Sequence, residues 1–187
     1  MPAIDCARAI LKYINDPDNR IFIANVFVAI AGAESNWREN AEGDRFYGSW
    51  SCNGYQSFGP WQINIPAHRS WLIPMVGSSN PCTIASWLKN YDNNARAAAT
   101  VLSRQGFCAW TVYEEWCSGW PHNGKYRDYA FEAKKAVDAV LAESSPPLPP
   151  LPPLPLIPIR SLWPILVLAI SLGLAGASLI FMSRRNK

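Results

Sequence analysis

Glu34 is the residue of this 187-residue chain whose setting points most directly to chemistry. It closes the apolar run Phe27-Val28-Ala29-Ile30-Ala31-Gly32-Ala33, and one loop later comes Ser57-Phe58-Gly59-Pro60-Trp61-Gln62-Ile63-Asn64. A carboxyl beside apolar groups is costly to ionise, so its pKa should rise. The negative end of a helix dipole, expected here because Glu34-Ser35 ends the run, pushes the same way. A carboxyl that keeps its proton near neutral pH can act as a general acid, which is what breaking a glycosidic C–O bond requires.

The elements expected to position Glu34 are mostly helical. Ala7 to Ile14 has helical spacing with Asp5 as N-cap, and Asn15 to Asn19 reads as a turn. Arg20 to Ser35 is apolar nearly all round, hence a buried helix. Residues 36–58 are polar, aromatic and glycine-rich, and read as a long functional loop containing a short hairpin. After a turn at Ser78 to Cys82, helices are expected over 83–90 and 92–104, the second ended by Gly106. Thr111 to Trp116 reads as one or two further helical turns, and Tyr126 to Leu141 as the last helix. The expected fold class is mainly α with a small loop or β-hairpin lobe.

Charge and cysteine content narrow the function classes. Residues 1–143 hold 13 Lys and Arg against 14 Asp and Glu, and four further Lys and Arg follow with no acid. The basic excess is confined to the tail, so nucleic acid is not an expected partner. The five cysteines (Cys6, Cys52, Cys82, Cys108, Cys117) form no Cys-x-x-Cys pair, and the only histidines are His68 and His122. No metal or other cofactor is expected. One or two disulfides fit a domain outside the cytoplasm, with at least one thiol left over and the pairing open.

Four segments are expected: a domain over 1–143, a proline-rich linker over 144–160, a transmembrane helix over 161–183 and a basic tail over 184–187. Pro-Pro-Leu occurs three times from Pro146 to Leu154, which favours a stiff polyproline II spacer. Leu162 to Met182 carries no charge over 21 residues, enough to span a bilayer. Trp163 and the basic Arg184, Arg185 and Lys187 fit its two interfaces, and the basic end is expected on the cytoplasmic or interior side. Met1 to Asp5 carries no basic stretch or small-residue cleavage pattern, so no secretory leader is expected. A domain outside the membrane without a leader suggests a protein of a virus particle's membrane, with other virion membrane proteins as partners.

The segments Ala31-Gly32-Ala33-Glu34-Ser35-Asn36-Trp37 and Ser57 to Asn64 resemble the lysozyme superfamily, including lytic transglycosylases and phage lysins. Asn94 to Ala99, Gly106 and Ala109-Trp110 resemble that family's later helix and its Trp-containing turn, so the likeness runs over roughly residues 5–140. It implies a lysozyme-like domain acting on peptidoglycan glycan strands, with Glu34 as the catalytic acid. It places Gln62, Asn64 and Ser57 at the cleft and Trp110 against the Glu34 carboxyl. Trp61, Trp50 and Tyr55 are candidates to stack on sugars, and Tyr113 and Tyr126 to hydrogen-bond Glu34. His68 is expected to be structural.

One departure bears on mechanism. Animal-type members carry an Asp two residues before the Gly of the Gly-x-x-Gln element, where this chain has Ser57. A retaining hydrolase needs a second carboxylate. The expectation is therefore a single-glutamate lytic transglycosylase, in which Glu34 protonates the leaving oxygen and then deprotonates the muramic acid 6-hydroxyl. The alternatives are an inverting muramidase using Asp44 or Glu42, a non-catalytic glycan-binding virion protein, and a structural membrane protein whose proline rod recruits a partner.

Overall fold

In the computed structural model, residues 2–115, 117–118 and 122–144 are described. They belong to one compact unit, Met1–Ser145. The elements are α1 (Pro2–Ile10), α2 (Arg20–Ser35), β1 (Glu42–Arg45), β2 (Tyr55–Phe58), β3 (Ile63–Asn64), α3 (Ile65–Val76), α4 (Pro81–Leu88), α5 (Tyr91–Gln105) and α6 (Ala130–Glu143). Two 3₁₀ segments, Phe107–Ala109 and Lys125–Tyr129, lie between α5 and α6. The architecture is mainly helical with one small sheet.

Helix α2 is the axis of the core. Ala24 and Val26 to Ala33 are buried, and α1, α6 and the Lys125–Tyr129 segment pack around the helix. It ends where expected, and for a local reason. Asn36 and Trp37 both take left-handed backbone angles, and the Asn36 N–H returns to the Gly32 carbonyl at 2.8 Å. The Trp37 indole folds back to donate to the Val28 carbonyl at 2.7 Å. Glu34 thus sits on a terminal turn that is closed on itself. At its other end α2 exposes Ile21 and Phe22, so the expected all-round burial holds only from Ala24 onward.

The loop expected over residues 36–58 is more ordered than its composition suggested. β1, β2 and β3 form an antiparallel sheet in that order, with Gly43 opposite Ser57 and Ser57 opposite Asn64. The turn between β2 and β3 is clamped to α5 by Asn94, which is fully buried. Its amide donates to the Phe58 carbonyl and accepts from the Trp61 N–H, both at 2.9 Å. Gly59, at φ 78°, lies under this clamp, where a Cβ would overlap both Asn94 and the Leu88 carbonyl.

Several helix boundaries differ from the sequence reading. Asp5 is no N-cap but lies in the first turn of α1, which starts at Pro2. Helix α3 was not anticipated. It carries Pro66 in its first turn, where no N–H is needed, and Asn64 caps it by accepting from the Ala67 N–H at 3.0 Å. Asn80 and Asn90 cap α4 and α5 in the same way, so α4 begins inside the expected turn. Thr111 and Val112 lie in a turn rather than a helix, and the helical turn falls earlier, at Phe107–Ala109.

Two disulfides form, Cys52–Cys82 and Cys108–Cys117, and Cys6 is a buried free thiol. The first ties the β1–β2 hairpin to the start of α4, and the second closes the turn that carries Trp110. Among the described residues no helix is long and apolar enough to cross a membrane. The expected linker, span and tail lie outside the described residues apart from Ser144, as does Trp116.

Candidate active site

A cleft of about 330 Å³ opens between the helices and the sheet. Glu34 borders it from the end of α2, Asp44 from β1, Gln62 to Asn64 from the β2–β3 turn and β3, Ala67 and His68 from α3, and Gln105, Ala109, Trp110 and Thr111 from the far wall. Glu34, Gln62, Asn64 and Trp110 were expected at one site, and the fold brings them there.

The two carboxyl groups of this cleft have unlike surroundings. Glu34 is half-buried, and no described residue hydrogen-bonds its carboxyl. Its pKa is pushed up to about 7, first by burial and then by the negative charge of Asp44, with Lys125 opposing. Trp110 borders the same cleft. It is buried, its ring meets Phe27 edge-on at 5.5 Å, and its indole donates to the Trp61 carbonyl at 2.9 Å.

Asp44 is exposed and held by polar neighbours. Ser57 donates its hydroxyl to Asp44 Oδ2, and Asn64 donates its amide to the same oxygen at 3.3 Å and to Ser57 Oγ at 3.2 Å. Each strand of the sheet supplies one member of this cluster. Side chains alternate along a strand, so residue 44 would ordinarily face away from the pair Gly43–Ser57. A left-handed backbone at Asp44, φ 53°, turns it back onto that face. Gly43 makes room, because a Cβ there would overlap the Gln62 side-chain oxygen. Gln62 is itself left-handed at φ 49° and folds its amide onto the Gly59 carbonyl at 2.9 Å. Non-glycine residues at such angles carry a conformational cost and tend to gather at functional sites.

Ser57 is therefore not an empty place in the site but a donor to a carboxylate on the neighbouring strand. Glu42, weighed with Asp44 as a loop acid, is paired with Lys89 at 2.5 Å and does not border the cleft. Other expected contacts are corrected. Trp61 is 0 % exposed and donates its indole to the Phe27 carbonyl, so it supports Trp110 from beneath and offers no face to a sugar. Tyr126 donates to Glu115 at 2.5 Å and Tyr113 packs between Phe107 and Tyr126, so neither hydroxyl serves Glu34. Trp50 and Tyr55 lie on the hairpin beneath Arg69 and Arg45. His68, expected as structural, borders the cleft. Among the described residues no cluster of His, Cys, Asp or Glu could hold a metal ion.

No family model matches the chain, and no solved structure matches it. Curated proteins do. The chain is 33% identical over 99 residues to lysozyme E of Drosophila melanogaster, and to the same extent to lysozymes D and B of that fly. The match covers 50% of this chain and 64% of each relative, so the chain spans somewhat less than two thirds of the proteins it resembles.

Proposed function

We infer that this domain is a lysozyme-like glycosidase that cleaves the glycan strands of peptidoglycan, with Glu34 as the general acid. The observation that carries the reading is a carboxyl with pKa about 7 at the mouth of a cleft that also presents a second, exposed and hydrogen-bonded carboxylate. Two carboxyl groups in unlike environments divide the work of glycoside cleavage, as lysozymes do. The likeness to the fly lysozymes supports the substrate class.

The steps follow from the chemistry of these side chains. Glu34 gives its proton to the glycosidic oxygen as the C–O bond breaks, and the departing sugar leaves as a free hydroxyl. Positive charge then develops at the anomeric carbon and ring oxygen. Asp44, anchored through Oδ2, provides the negative charge that opposes it. Glu34, now a carboxylate, takes a proton from the water that completes hydrolysis.

The position of Ser57 favours a second reading, the single-glutamate lytic transglycosylase. There the muramic acid 6-hydroxyl takes the place of water and leaves a 1,6-anhydro end. Mass spectrometry of muropeptides released by the full chain, beside Glu34→Gln and Asp44→Asn, separates the two. Reducing-end products that depend on both acids support hydrolysis. Anhydro products that survive Asp44→Asn establish the transglycosylase instead. No Glu34-dependent release removes both enzymatic readings and leaves a glycan-binding protein.

For the rest of the chain we keep the sequence reading: a polyproline spacer over 144–160, a membrane span over 161–183 and a basic tail, holding the domain away from a virion membrane toward the wall beyond it. The uncharged run from Leu162 to Met182 supports the span. Recovery of the protein in the detergent-free soluble fraction, or its absence from purified particles, would count against anchor and virion respectively.

A further inference from the structure

Among the described residues, His68 borders the cleft with no hydrogen-bond partner for its imidazole. It lies in the first turns of α3, a helix fixed to the sheet by the Asn64 cap, and is 9 % exposed. Its ring rests against Trp71 at 5.2 Å between centroids, and Arg104 of α5 lies over the same indole at 5.9 Å. No hydrogen bond joins either imidazole nitrogen to a described residue, although the ring borders the cleft shared by Glu34 and Asp44. The imidazole nitrogens are not among the sealed-off, unpartnered polar atoms of the described residues, so they open onto the cleft, where polar groups are available to a ligand.

We propose that His68 is a specificity-determining contact for the glycan, presenting a neutral imidazole that hydrogen-bonds a polar group of a sugar bound in the cleft. The proposal rests on the glycosidase reading of this site. A neutral imidazole has one donor and one acceptor nitrogen, and so can bind groups that both give and take a proton, as sugar hydroxyls do. Burial, and then the nearby Arg104 cation, hold the His68 pKa below its usual value. The charged groups that meet it are Arg104 from α5 and, around the same cleft, Glu34 from α2 and Asp44 from β1. The imidazole is then neutral over a range in which Glu34 still keeps its proton. Protonating His68 removes its acceptor and adds a cation beside Arg104, so glycan affinity falls as pH drops through the His68 pKa. Protonation of His68 then contributes to the acid limb of the kcat/KM profile, and ionisation of Glu34 sets the alkaline limb.

The test uses the full chain carrying Glu34→Gln, which binds without turnover, titrated with a soluble N-acetylglucosamine–N-acetylmuramic acid tetrasaccharide. Adding His68→Phe, which keeps a ring against Trp71, should weaken binding about tenfold or more, and His68→Gln, which keeps donor and acceptor groups, should restore it to within a few-fold. In the otherwise wild-type chain, His68→Gln should move the acid limb to lower pH. Only two histidines are present, so the His68 ring signals can be followed by NMR after His122→Gln, and they should shift when the tetrasaccharide binds. Unchanged affinity in His68→Phe, or unmoved ring signals on binding, overturns the proposal while the glycosidase reading stands. Absence of both tetrasaccharide binding and wild-type wall cleavage would instead sink the underlying reading and the proposal with it.

Discussion

The two walls of the cleft solve opposite problems with the same functional group. The helical wall takes a glutamate and strips water from it: Glu34 ends a buried helix, with Trp110 across from it, and its pKa reaches about 7. The sheet wall takes an aspartate and surrounds it with donors: Asp44 is exposed and receives Ser57 and Asn64 on one oxygen. Dryness serves a group that must keep its proton, and hydrogen bonds serve a group that must hold its direction. A carboxyl's role is therefore written in its neighbours more than in its own position.

The largest effect should come from the dry wall. Glu34→Gln keeps size and polarity but cannot deliver a proton, and should lower kcat on peptidoglycan by about 10³-fold or more, within reach of what a general acid contributes. KM should move little, because the amide occupies the same place. Turbidity clearance of purified walls over matched concentrations would check this. Loss of substrate affinity in place of kcat would mean that Glu34 binds rather than reacts.

The same substitution should stabilise the fold, and the sign follows from linkage. The folded pKa of Glu34, about 7, lies above its ordinary value of 4.5. Between these values the folded chain holds the proton more tightly than the unfolded chain, so stability falls as pH rises from about 4.5 and is lost through 7. Above pH 7 Glu34→Gln removes a charge that burial opposes. It should gain up to about 3 kcal/mol over the wild type at pH 8, and almost nothing at pH 4. Denaturant melts of both proteins at the two pH values give the answer, and an equal difference at both would deny that Glu34 is strained by ionisation.

On the sheet wall, Asp44→Asn should cost about 10²-fold in kcat, since it removes the opposing charge but keeps the shape. It should also move the alkaline limb of the pH profile to lower pH. Asp44 raises the Glu34 pKa, so its loss eases Glu34 ionisation, although burial, the larger cause, remains. A loss of rate with an unmoved limb would show that the two walls do not feel each other.

The two walls also differed in how far the sequence disclosed them. Glu34 was legible because its signal is local: an apolar run, a helix end and a carboxyl within one segment. Gln62, Asn64 and Trp110 followed from the resemblance to the lysozyme superfamily, and Arg20 to Ser35 from composition alone. Asp44 was only one of two loop acids, because what selects it is not local. Its direction depends on a left-handed angle, on the missing Cβ of Gly43, and on strand pairing that brings Ser57 and Asn64 alongside. None of these appears in hydrophobic periodicity. Trp61 erred the other way: a Trp beside a cleft motif suggests a sugar platform, but the Asn94 clamp pulls its backbone into the core. Helix α3 was hidden by Pro66 and Pro74, residues that read as breakers although the first falls where a helix tolerates proline.

The smallest effect tests whether the sheet wall works by direction. Ser57→Ala removes the hydroxyl donor to Asp44 and leaves the weaker 3.3 Å bond from Asn64. Asn64 is a poorer choice for the experiment, because it also caps α3, and its removal would cost helix stability of about 1 kcal/mol. Ser57→Ala should lower kcat by roughly tenfold, the equivalent of one hydrogen bond. Asp44 is exposed, so water can replace the lost donor and the melting temperature should change little. The charge of Asp44 also stays in the cleft, so the alkaline limb should hold its place. That combination, a slower rate with an unmoved limb and an unmoved melt, separates direction from charge. If Ser57→Ala shifted the limb as Asp44→Asn does, the hydroxyl would be setting where the charge stands. If it left the rate untouched, the three-strand cluster would be a structural feature of the sheet and Asp44 would need no guide.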